Sequence, residues 1–371
     1  MKLYAIYKKT LVLLLAVGLF NSDLFGQSNA PLRYNSTTYP NVITAAQQVG
    51  FPFLLVQGYP VSAPGYLADT AKSSVTFNGQ TLQVTQQYNN PNGKFPYYVP
   101  ASSYATYAIS AIEKETWPTQ IQNLLYNPTN QSFCSYVDCV GYGTRLLSLT
   151  DANANGQNAY TNLRTYIRNL KSAPFAASGY EASAYEYAVA FPLLDNNNNS
   201  GWQYVCGNVS VSKVDSFNRT KKINNTYTGK SKGGFAQALP GDILSFGYDN
   251  GQDNGHFMVI EKSPIPLSNM QALKVYYPML PTATLDSLLN TCRIYAVPLF
   301  DCSGQNVHFF DSRKKTSGIG HGTILIYADK ATDVPFGFVF SPPAKPGFVG
   351  LEQMGNHLIA LTVGRYTPTQ K

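Results

Sequence analysis

Two residues of this chain sit where their type and surroundings could do covalent chemistry. Cys139 lies in Val137-Asp138-Cys139-Val140-Gly141-Tyr142-Gly143, ahead of Thr144-Arg145-Leu146-Leu147. The apolar spacing predicts a helix over 138–149, with the cysteine in its first turn. There, unsatisfied backbone N–H groups and the positive end of the helix dipole favour a thiolate, a nucleophile near neutral pH. His256 lies in Gly255-His256-Phe257-Met258-Val259-Ile260, after the turn-and-strand passage Leu239-Pro240-Gly241-Asp242-Ile243-Leu244-Ser245-Phe246. A histidine at a strand edge can face a thiol and act as its base. The chain has only four histidines, so a Gly-His directly after a Pro-Gly-Asp strand is a specific feature.

On these motifs the chain resembles the NlpC/P60 and CHAP branches of the papain-like cysteine peptidases. Their pattern is Asp-Cys-Ser-Gly at a helix start, then Pro-Gly-Asp with a hydrophobic strand, then Gly-His opening the next strand. Asp138-Cys139-Val140-Gly141 follows it with Val140 in place of the usual Ser; Pro240-Gly241-Asp242 and Gly255-His256 match closely. The resemblance implies Cys139 as nucleophile and His256 as general base. It also implies a papain-like α+β core, in which the helix bearing the cysteine packs on an antiparallel sheet or half-barrel. Between Gly141 and Pro240 lies an insertion of about 100 residues, longer than the family usually carries.

The resemblance further implies a third residue, from the strand after the histidine strand, that orients the imidazole. The next strong strand is 293–300, ending at Asp301. In an antiparallel pair the end of one strand lies beside the start of its partner. Asp301 is therefore expected beside His256, fixing its tautomer. Asn306, His308 and Asp311, in the polar segment that follows, are rivals. The bland reading of that segment is a surface loop with a local Asp311–Arg313 ion pair. A metal reading would join His308, Asp311 and His321, but their spacing matches no strong signature. No metal or cofactor is expected. The bland reading of the main pair is a buried helix cysteine, or half of a bridge to Cys134, and a histidine that caps a strand. Gln131, Ser132 and Tyr136 lie just upstream as candidates for a second oxyanion donor beside the Cys139 N–H.

These residues need elements to hold them. Residues 27–100 read as a β-rich N-terminal lobe: 51–59 is an apolar, aromatic stretch, and 74–88 reads as a hairpin turning at Asn78-Gly79. A helix is expected over 101–117. The catalytic domain would run over 101–371, with an insertion at about 150–235 that holds helices near 159–170 and 179–191. From 239 onward strands dominate, at 242–246, 256–262, 293–300, 323–328, 334–340 and 357–362. Helix first, then an insertion, then an antiparallel sheet is an α+β order.

Composition sets the outer limits. The chain has 371 residues, 44% hydrophobic and 13% charged, so it is long and apolar enough to bury a sizeable core. Residues 1–26 read as a secretory signal: three lysines, an eleven-residue apolar run at 10–20, then polar and small residues. The mature protein is expected to be exported, periplasmic or extracellular, with no stable membrane insertion after the signal is removed. No dense basic cluster suggests a nucleic-acid partner. All five cysteines follow the signal. In an oxidising compartment an odd count leaves one thiol over, and sequence cannot choose the pairing of the other four. Resemblance and location together imply a secreted cysteine hydrolase of amide or peptide bonds. Its partner would be a cell-wall peptide or glycopeptide, such as a peptidoglycan stem peptide. The alternatives are a non-catalytic extracytoplasmic binding protein on the same fold and a thioester-forming acyltransferase.

Overall fold

A computed structural model of the chain describes residues 38–56, 67–68, 74–77, 80–86, 126–127, 132–135, 139–152, 156–170, 183–196, 201–210, 233–249, 255–304, 307–313 and 318–368. The segment read as a signal, the helix expected at 101–117, the turn expected at Asn78-Gly79, and Gln131, Tyr136 and Asn306 lie outside these residues.

The described chain opens with helix α1, Val42–Val56. Asn41 starts it: its side-chain oxygen accepts the Thr44 N–H at 2.9 Å, satisfying a backbone donor that has no partner within the helix. The apolar stretch beginning at residue 51 thus enters the fold on a helix. Strands β1 (Leu67–Ala68), β2 (Ser74–Phe77) and β3 (Gln80–Gln86) follow, with β2 and β3 paired antiparallel as the hairpin requires. Strands β4 (Tyr126–Asn127) and β5 (Ser132–Ser135) join them in one five-stranded sheet, where β5 runs parallel to β3. This sheet takes strands from both sides of residue 100 and leads straight into the cysteine helix.

Three helices come next: α2 (Cys139–Ser148), α3 (Ala159–Leu170) and α4 (Ala184–Ala190). Helix α4 begins later than the apolar pattern indicates because Ser183 and Glu186 form a capping box that fixes its first turn. Then come β6 (Trp202–Val209), β7 (Ile243–Tyr248), β8 (His256–Ile260) and the short β9 (Ile265–Pro266). Helices α5 (Met270–Tyr276) and α6 (Thr282–Thr291) precede β10 (Cys292–Ser303), β11 (Gly318–Asp329), β12 (Pro335–Val339), β13 (Glu352–Gln353) and β14 (Leu358–Tyr366).

The later strands form a second sheet of nine strands. Its order is β13-β12-β11-β10-β8-β7-β14-β6, with β9 on the flank of β10, and every pairing is antiparallel. The broad α+β class expected from the sequence is what the chain adopts. The sheet curls, bringing β12 near β6 and β14. Its concave face buries Leu244, Phe246, Met258, Ile260, Val297 and Leu299 in one apolar core. The opposite face carries helices: α2 lies on β8 and β10, and α4 on β7 and β14. Buried hydroxyls fasten α4 there, Ser245 donating to the Ala184 carbonyl and Thr362 to that of Ala188. The described parts of residues 150–235 are therefore built into the sheet, supplying both a covering helix and strand β6.

Candidate active site

Strand β8 delivers His256, and Gly255 is the reason it can. Gly255 has φ +118°, and a Cβ there would stand 1.8 Å from the Phe246 carbonyl oxygen. Only glycine lets the chain come in so tightly and set His256 opposite Phe246 in the β7–β8 ladder. The imidazole lies on the concave face, its centroid 6.0 Å from that of Phe246 and 5.0 Å from that of Phe340.

Strand β10 brings Asp301 to the same place. The register pairs Leu299 with Ile260 and Phe300 with Val259, so the end of β10 runs past the start of β8. His256 Nε2 donates to Asp301 Oδ2 at 2.6 Å. An ionised carboxylate can only accept, so the His256 proton is on Nε2 and the Nδ1 edge is left for another partner. The ring keeps 9% of its side-chain surface open to solvent, whereas Asp301 is fully buried. Burial alone would raise the Asp301 carboxyl, but Arg313, His308 and His256 together hold it well below the usual carboxylate range.

The segment after β10 folds back over this pair. Asp311 organises it, accepting the backbone N–H groups of Val307, His308 and Arg313 at 2.8–3.0 Å and pairing with the Arg313 guanidinium. Arg313 also donates to Asp301 Oδ1 at 2.7 Å and to the Gly318 carbonyl. His308 Nε2 reaches Asp301 Oδ2 at 2.8 Å, and its Nδ1 reaches the Phe340 carbonyl oxygen at 3.1 Å. The local Asp311–Arg313 pair is thus present, but in a buried network centred on Asp301 rather than on a surface loop. Glycines on β11 make room for it. A Cβ on Gly320 would press on Arg313 at 2.7 Å, and one on Gly322 on His308 at 2.6 Å. The alternation Gly318-Ile319-Gly320-His321-Gly322 is the sequence signal for this flat bed, and motif reading alone passes over it.

Helix α2 places Cys139, which is buried at its first residue. One turn on, a Cβ at Gly143 would stand 2.2 Å from the Phe257 ring, so helix and strand meet at the residue after His256. Tyr142, almost wholly buried, has its hydroxyl pushed up by burial and by the nearby Cys302 and Asp301, with Arg313 opposing. The helix start and the His256–Asp301 pair therefore sit at the same end of the sheet. Strand alternation turns Phe257 toward α2 and the His256 ring toward the concave face. Cys206 and Cys292 are unbridged, and burial pushes both thiols up.

His256, Asp301 and His308 have the donor types of a metal triad, all within 4.8 Å of one another. Ligands sharing one zinc ion at its usual bond lengths stand roughly 3.3 Å apart. The 2.6 and 2.8 Å separations to Asp301 are those of direct hydrogen bonds, so this arrangement does not fit a metal. His321, the other histidine of the metal reading, points off the opposite face of β11 and pairs with the buried Glu261.

The Pro-Gly-Asp motif has a structural task at the far end of β7. Gly241 takes φ +91°, and Asp242 accepts the Leu239 N–H and a two-pronged hydrogen bond from Arg365. A cavity of about 750 Å³ opens there, lined by Pro240, Gly241, Asp242, Arg365 and Tyr366 among others. It is at the opposite end of the β7–β8 pair from His256.

The fold and site define an α+β protein whose nine-stranded antiparallel sheet carries a buried imidazole–carboxylate pair on its concave face and the helix that starts with Cys139 on the other. No family model, no curated protein and no solved structure matches the chain. Among the described residues no helix is long and apolar enough to cross a membrane.

Proposed function

We propose that this protein is an exported cysteine hydrolase of amide or peptide bonds, with Cys139 as nucleophile, His256 as base and Asp301 as the orienting acid. The observation that carries the reading is the 2.6 Å contact between His256 Nε2 and Asp301 Oδ2, joining residues 45 apart in sequence. In the proposed mechanism the imidazole proton stays on the carboxylate side and the Nδ1 lone pair takes the thiol proton, which requires the Cys139 thiol to reach His256 around the end of the sheet, because the ring lies on the concave face and α2 on the opposite one. The Cys139 thiolate then attacks the scissile carbonyl. His256 returns its proton to the departing amine, and water, deprotonated by the same imidazole, releases the acid product and the thiol. The resemblance to NlpC/P60 enzymes and the expected export favour a stem peptide of the cell wall as substrate.

A second reading, a non-catalytic binding protein on the same fold, is favoured by one observation: Phe257, not His256, faces α2. Peptidoglycan digests separate the two. Wild-type protein is expected to release new amino termini. Cys139→Ala is expected to keep the far-UV and near-UV circular dichroism of the parent and lose at least about 10³-fold in rate. Release by the alanine variant at the parental rate would end the hydrolase reading. Added amine acceptor that diverts product into a new amide would indicate acyl transfer instead.

A further inference from the structure

The mechanism uses one histidine on Asp301, yet the carboxylate holds two. We propose that His308 is a positioning residue that works as an imidazolium, protonated on both ring nitrogens at neutral pH. This inference rests on the reading of Asp301 as the acid partner of His256.

Three observations carry it. Both nitrogens of His308 face atoms that can only accept: Asp301 Oδ2 at 2.8 Å from Nε2, and the Phe340 carbonyl oxygen at 3.1 Å from Nδ1. A neutral imidazole has one N–H, so it would set a lone pair against one of these oxygens. The ring also has no way out. Its side chain is fully buried, its backbone N–H is held by Asp311, its body lies against Gly322, and the Phe340 ring meets it at 4.3 Å. Charge gives the third argument. The buried groups around the ring are Asp301 from β10, Asp311 and Arg313 from its own loop, and His256 from β8. Tyr142 of α2 and Cys302 stand near Asp301 as well, while β11 and the end of β12 present Gly322 and Phe340. Two carboxylates against one guanidinium leave an unbalanced negative charge in a dry site, and such charge is costly unless paired. A second proton on His308 balances it.

The consequence falls on His256. With Arg313 on Oδ1 and two imidazoles on Oδ2, the Asp301 carboxylate cannot turn, so the His256 N–H has one direction and its Nδ1 edge one position. The charge on His308 also lies one carboxylate away from the reacting imidazole. A positive charge there opposes a second positive charge nearby and favours a negative one.

The test uses the mature full chain labelled with ¹⁵N-histidine, its four rings assigned by ring-to-backbone correlation. At about pH 7.5, above the ordinary histidine range, His308 is expected to show two N–H nitrogens, and His256 one, at Nε2. A bare nitrogen on His308 at that pH overturns the proposal. The kinetic arm is His308→Gln, which keeps a hydrogen-bond donor and loses the charge. Both limbs of its pH–rate profile are expected to move up by about one pH unit. A lower rate with unmoved limbs would mean that His308 is only packing, and would also overturn the proposal. If the wild-type protein hydrolyses nothing, the function assigned above fails, and the ring nitrogens still decide the state of His308.

Discussion

Asp301 does more at this site than any other single residue. It receives hydrogen bonds from three side chains while fully buried, so its loss strands Arg313 and His308 as well as freeing His256. Asp301→Asn is expected to cut kcat by on the order of 10²–10⁴, because the amide can hold the imidazole in the wrong tautomer. It is also expected to cost about 3–5 kcal/mol of stability by leaving buried charge unbalanced. The pH dependence has a definite sign. The folded carboxyl lies well below its unfolded value, so its stabilisation is complete above about pH 4 and lost as pH falls through the folded value. Denaturation midpoints taken from about pH 6 down to about pH 2 should fall steeply in the wild type and more gently in Asp301→Asn. Parallel curves would remove Asp301 as the source of acid lability.

At the scale of elements, the helix–strand contact that aligns the site depends on a missing side chain. Gly143 of α2 lies directly on Phe257 of β8. Gly143→Ala forces a methyl into that ring and is expected to cost about 1–3 kcal/mol despite alanine's better helix propensity. Adding Phe257→Leu should restore most of the loss, as a double-mutant cycle on urea midpoints would show. Additive losses would place the strain elsewhere. Elements of this kind were legible in the sequence where a periodic pattern met a hard stop. Helix α3 falls where the 3.6-residue spacing puts it, and the six later strands lie close to their apolar runs. The His256–Asp301 contact was legible too, because antiparallel topology alone brings those strand ends together. Helix α1 was less so, since aromatic residues and a proline within it suggest extended chain, whereas the signal for the helix is the Asn41 cap upstream. Strand β6 hid inside a polar stretch of sequence, because its partner β14 is more than 150 residues away. The roles of His308 and Arg313 depend on the bed of glycines in β11, and that bed is visible only once Gly320 and Gly322 are known to share a face.

The whole molecule closes through its last strand. β14 sits between β7 and β6, so the C-terminal segment joins the strand leading to the site with the strand at 202–209. Arg365 completes the closure by gripping Asp242 at the head of β7, and Tyr366 packs on Trp202 of β6. The Asp242 carboxyl is raised by burial, with the hydrogen bonds from Arg365 and the Leu239 N–H working against the rise. A carboxyl raised on folding costs stability while ionised, and that cost is relieved as pH falls toward its folded value. Arg365→Ala removes the main opposing interaction and leaves a buried carboxylate facing one backbone donor. The expected loss is about 2–4 kcal/mol near pH 7, shrinking by at least about 1 kcal/mol near pH 5 as Asp242 takes up a proton. Urea denaturation of variant and parent at the two pH values measures that difference directly. The turnover number of the folded variant should match the parent, because Asp242 and His256 stand at opposite ends of the β7–β8 pair. An equal loss at both pH values would mean that Arg365 contributes by packing its stem rather than by neutralising Asp242, and closure of the sheet would then rest on the β14 ladders to β6 and β7 and on the packing of Tyr366 against Trp202.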